Sequence, residues 1–132
     1  MRTELLSAIT TAISTLTQFA VSTELPWEQN GTPLYTKNMK KVYVNRERME
    51  ETTLFPTLNG GEVFQNDSIC EVYVAVDAKN QPSQLDSLIT KILGAKNSTG
   101  IVNFGVESDY TLDIQEDVLT YTFEFRLNQA TT

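Results

Sequence analysis

The best-placed groups for bond chemistry are four carboxylates near the end of the chain: Asp109, Asp113, Glu116 and Asp117. Acids this close in sequence can share a proton for acid–base work or hold a divalent cation through their oxygens. The same residue types are also what a solvated turn uses to cap its own backbone. The rest of the sequence narrows the choice. It contains no histidine, which excludes Ser-His and Cys-His nucleophile systems and histidine metal sites. Asn59-Gly60-Gly61 lacks the lysine and following helix of a phosphate-cradling loop. Cys70, the only cysteine, falls in the apolar set of an alternating run and reads as a small buried hydrophobe. One cysteine allows no intrachain disulfide and fits a reducing compartment. No catalytic residue, metal ligand or cofactor is therefore assigned, and a non-enzyme is expected. A divalent-metal-dependent enzyme built on the acidic turn is the alternative.

Charge points to contact between polypeptides. Seventeen acids against ten bases give a net charge of −7, which argues against broad binding to nucleic acid or anionic lipid. The charges are also segregated. Lys37, Lys40, Lys41, Arg46 and Arg48 lie within twelve residues. From residue 100 to the end, Glu107, Asp109, Asp113, Glu116, Asp117 and Glu124 meet only Arg126. Such polarity suits a head-to-tail ring that matches one subunit's edge to the next; it equally describes a solvated basic strand and a solvated acidic hairpin.

The elements that position these residues follow from periodicity. Leu5, Leu6, Ile9, Ile13 and Leu16 predict a helix from Thr3 to Gln18. A connector from Val21 to Asn38 carries Trp27, Leu34 and Tyr35, which either pin it to the core or anchor a partner. Alternation predicts a strand from Met39 to Arg48, its charged end Arg48-Met49-Glu50-Glu51 guarding an edge. Thr52 to Ser68 is irregular and apolar. Leu54, Phe55 and Phe64 either fold back on the core or sit on a protruding hairpin turned at Asn59-Gly60. Ile69 to Ala78 is a strand. Pro82 opens a second helix, carrying Leu85, Leu88, Ile89, Ile92 and Leu93 and closed by Gly94. Two strands follow, Ile101–Ile114 and Val118–Leu127, with a polar tail from Asn128 that is expected to fray. The expected fold is one α+β domain over residues 1–132: an antiparallel-rich mixed sheet with two helices on one face, in the order α-β-β-α-β-β. Every apolar run near the N-terminus is broken by Ser or Thr, and no segment is apolar enough to span a membrane.

The strand Ser68-Ile69-Cys70-Glu71-Val72-Tyr73-Val74-Ala75-Val76, the helix Ser83-Gln84-Leu85-Asp86-Ser87-Leu88-Ile89 and the closing Leu119-Thr120-Tyr121-Thr122-Phe123-Glu124-Phe125-Arg126-Leu127 together give the chain a familiar pattern. It resembles the tail terminator proteins of long-tailed bacteriophages of the lambda-like type. The resemblance covers the whole chain as an order of elements and about forty residues as local sequence. It implies a homo-hexameric ring that caps the tail tube, stops addition of tube protein and presents a docking surface for head-completion proteins. DNA would pass through the lumen without specific binding. The place of action would be the head-proximal end of the virion tail, with assembly in the host cytoplasm. Interface candidates are Trp27, Leu34, Tyr35, Lys40, Lys41, Arg46, Arg48, Leu54, Phe55, Phe64, Asp113, Glu116 and Asp117. Another head–tail connector or a tail-tube component shares the size and assembly habit.

Overall fold

Alternating apolar residues along one long strand build the centre of this protein. The computed structural model describes residues 1–25, 40–56, 62–95, 100–112 and 117–131; at 52–56, 62–65, 104, 109–112, 117 and 128–131 only the backbone is described. The elements are α1 (Arg2–Ala12), β1 (Ala20–Ser22), β2 (Lys41–Val44), β3 (Arg48–Pro56), β4 (Glu62–Asp77), α2 (Leu85–Leu93), β5 (Val102–Leu112) and β6 (Asp117–Thr131). They form one six-stranded sheet in the order β1-β2-β4-β6-β5, with β3 also paired to β4. Among the described strands only β1 and β2 run parallel. The fold is α+β, with a mixed, mostly antiparallel sheet.

Both helices lie on one face. Leu5 and Ile9 of α1 and Leu85, Leu88 and Ile92 of α2 join one core with Val42, Val44, Cys70, Val72, Val74, Val76, Phe123 and Phe125. Burying each of the larger side chains contributes about 1.5–3 kcal/mol. The helix layer is pinned by an exchange of side-chain amides. Gln84 Oε1 accepts from the backbone N–H groups of Thr17 and Gln18 at 3.0 and 2.9 Å, and Gln18 Oε1 accepts from the N–H of Gln84 at 2.8 Å. This clamp satisfies orphan donors at the start of α2 and fixes the chain leaving α1.

The element order corrects the expected α-β-β-α-β-β in two places. The start of the long connector forms β1, and the stretch from Thr52 to Ser68 is taken up by β3 and the first half of β4. These two pair antiparallel from Arg48↔Ile69 to Pro56↔Glu62, so the segment is a hairpin. Helix α1 stops at Ala12, short of the expected Gln18. There the Ser14 hydroxyl donates to the Thr11 carbonyl at 2.9 Å, an example of short polar side chains competing with the helical ladder. Strand β6 continues through Asn128–Thr131, pairing with Phe64–Asp67, where composition predicted a frayed tail. Backbone pairing with β4 accounts for this mostly polar segment being a strand.

The predicted strand from Met39 to Arg48 is broken by one surplus residue. Val44 pairs with Val72, and Arg48 pairs with Ile69, so four steps on one side match three on β4. Between them the Asn45 N–H donates to the Glu71 carbonyl at 2.8 Å, and its side-chain oxygen accepts from Arg46 N–H at 2.8 Å. An extra residue in a strand moves every later side chain to the opposite face. Uninterrupted alternation would have put Arg48 beneath the helices with Val44. The interruption turns it to the other side.

Candidate functional site

That other side of the sheet carries a continuous polar network. On β4 and β6 the register sets Glu71 directly opposite Glu124, two like charges that would repel if left alone. Arg48 answers them. Its guanidinium lies 2.6 Å from Glu71 Oε1 and 4.0 Å from Glu124 Oε1. Arg126 closes the far end, 3.1 Å from Glu124 and 3.2 Å from Asp67. At the near end Tyr73 donates its hydroxyl to Glu71, and Asn45 donates to that hydroxyl oxygen at 3.4 Å. Burial pushes the Glu71 carboxyl up, but the Tyr73 hydroxyl and the Arg48 guanidinium together outweigh it and hold it below its ordinary value. The network fixes how β3 lies along β4.

Beside it is a hollow of about 330 Å³ lined by Glu71, Glu124, Glu107, Thr122 and the Gly105–Val106 step of β5. A bulge makes it: Asn103 pairs with Phe125 and Gly105 with Glu124, leaving Phe104 as the extra residue. Gly105 has φ +124, a conformation open mainly to glycine. Two of the three carboxylates here are engaged by arginine. Among the described residues no cluster of Cys, Asp and Glu is arranged to hold a metal ion. Cys70 is buried beneath the helices, and burial pushes its thiol up to about 12, so it is not a nucleophile at neutral pH.

The predicted interface residues divide into three groups. Trp27, Leu34, Tyr35, Asp113 and Glu116 lie outside the described residues. Leu54, Phe55, Phe64 and Asp117 are described in backbone only: Phe55 pairs with Val63, Thr53 with Phe64, and Asp117 opens β6 opposite Leu112. The basic residues are resolved individually. Lys40, Lys41 and Arg46 are exposed near the β1–β2 end of the sheet. Arg48, grouped with them by sequence, is committed to Glu71 within its own chain. Asp67, Glu71, Tyr73, Glu124 and Arg126 were not singled out as a group. Their one signal is a polar group at alternate positions of otherwise apolar strands, and their meeting depends on a register that sequence does not reveal.

Two further features concern the sheet's limits. Among residues with described side chains, the helix-covered core begins at Cys70 on β4 and reaches no further than Leu127 on β6. Strands β3, β4 and β6 run on together past that point to Pro56, Glu62 and Thr131. At about 3.3 Å per residue, Glu62–Ile69 extends this arm by roughly 25 Å. Met49, at its base, is 65 % exposed. The second feature is charge placement. The sheet order puts basic β2 beside one edge and acidic β5 at the opposite edge.

No protein-family model matches this chain, and no curated protein matches it. No helix among the described residues is long and apolar enough to cross a membrane.

Proposed function

We propose that this protein is a structural subunit that assembles with copies of itself into a ring, in the manner of a phage tail terminator. The ring would cap a tail tube, stop its growth and offer a surface to head-completion proteins, with DNA passing through an acidic lumen that repels phosphate. The observation that carries this reading is the three-stranded arm beyond the helix layer. It contains Leu54, Phe55, Val63 and Phe64 in its sequence, and an arm that apolar is better accounted for by contact with another polypeptide than by solvent. Segregated charge at opposite sheet edges supports a heterologous contact, the kind that closes into rings. The described acids favour assembly over catalysis: Glu71 and Glu124 serve as partners for arginine.

Negative-stain electron microscopy of the purified chain tests the proposal. Rings of uniform diameter with six-fold symmetry are the expected result. Long tubes would instead assign a tube-subunit role, and a field of isolated small particles at every concentration would contradict both. Addition of the ring to polymerising tube protein should shorten the tubes; unaltered tube length would exclude capping.

A further inference from the structure

We infer that copies of this chain join by sheet extension, β5 of one copy adding to β1 of the next. The inference rests on the self-assembly proposed above and specifies its interface. Among the described residues, β5 pairs only with β6 and β1 only with β2, so each leaves one side of its backbone without a strand partner. Following the pairings across the sheet, β5 runs opposite to β1. In a head-to-tail arrangement that keeps subunit orientation, the added pair is therefore antiparallel, the commoner and more stable kind. A contact between different edges is heterologous and can close into a ring.

Both faces of such a junction match. On the helix side, β5 presents Val106: it pairs with Phe123, a core residue, and remains 36 % exposed. On that same side β1 borders an open groove of about 200 Å³ lined in part by Ile13, Leu16, Phe19 and Val21. Val106 would enter it. On the opposite side β5 presents Glu107, exposed and in no ion pair among the described residues. Across β1 lies Lys41, also exposed, with only the small Ala20 as its neighbour on β1. Two strand spacings, roughly 10 Å, separate Glu107 from Lys41 in the joined sheet, within reach of a lysine stem and a glutamate together. Another edge without a strand partner among the described residues, that of β3, is blunted by the exposed charges of Arg48, Glu50 and Glu51, the usual defence against edge pairing. The β5 edge past the bulge begins with the apolar Val106, and its exposed charge, Glu107, is the one that Lys41 of the next copy would match.

The test is the solution mass of the full chain by sedimentation across a concentration series, for the unmodified protein and for Val106→Asp, Glu107→Lys, Lys41→Glu and the double swap Glu107→Lys with Lys41→Glu. Thermal unfolding of each variant checks that the monomer still folds. Val106→Asp should raise the concentration for half-assembly by tenfold or more, each single swap by a few-fold, and the double swap should recover most of the loss. An unmodified chain that assembles while folded Val106→Asp assembles equally well would overturn this interface and leave the ring standing. An unmodified chain that never assembles would overturn the ring itself. Losses from both single swaps without recovery in the double would refute the Glu107–Lys41 pairing.

Discussion

The two faces of β4 solve different problems with the same backbone. On the helix side Cys70, Val72, Val74 and Val76 are fully buried, and their contribution comes from removing apolar area from water. On the other side Glu71 and Tyr73 belong to a chain of charge and hydrogen bonds running from Asn45 through Arg48 to Asp67. Burial is non-directional and tolerates small shifts; ion pairs and cross-strand hydrogen bonds depend on register. The helix face therefore supplies most of the stability, and the polar face determines where β3 and the far half of β6 lie against β4.

Breaking the helix side should have the largest effect. Phe123 is completely buried, and Phe123→Ala is expected to cost about 3–5 kcal/mol in chemical denaturation. A loss below about 1 kcal/mol would mean that the core does not close as described. Next comes the clamp between the helices. Gln84→Ala leaves two backbone donors without their acceptor, and about 1–2 kcal/mol should be lost. No change would show that water replaces the amide at no cost.

Substitutions on the polar face should be smaller and pH-dependent. Arg48 is about half exposed, so solvent screening limits its pairing, and Arg48→Met should cost about 1 kcal/mol at neutral pH. Its sharper signature lies in acid. A carboxyl held below its ordinary value of 4.5, as Glu71 is, contributes stability that is present above that pH. The contribution disappears as pH falls through the lowered value. The unmodified protein should lose stability on that descent, and Arg48→Met should flatten the loss. Parallel curves would show that Arg48 does not hold Glu71. Smallest of all is Glu124→Gln, expected within about 0.5 kcal/mol, because relief of the Glu71–Glu124 repulsion offsets weaker pairing to two arginines. A loss of several kcal/mol would mean that the network, not the helix face, dominates.

Much of the fold was legible because burial leaves a periodic trace. Both helices and the alternation of Cys70 to Val76 against Glu71 to Asp77 could be read directly from the sequence. What escaped depends on pairing between distant segments. The one-residue surplus at Asn45–Glu47 leaves no periodic trace, yet it decides which face Arg48 occupies. The paired end of β6 was equally hidden, since Asn128–Thr131 is held by backbone bonds that any side chain permits. The candidate site was legible in parts. Exposed Lys40, Lys41 and Arg46 could be read as a basic group, whereas the binding of Arg48 to Glu71 could not.

Light scattering of the purified full chain, over a hundredfold range of concentration, bears most directly on the claim that this protein works by self-assembly. A single species of six chains, disappearing only on dilution, is the expected result. One chain per particle throughout the range would contradict it.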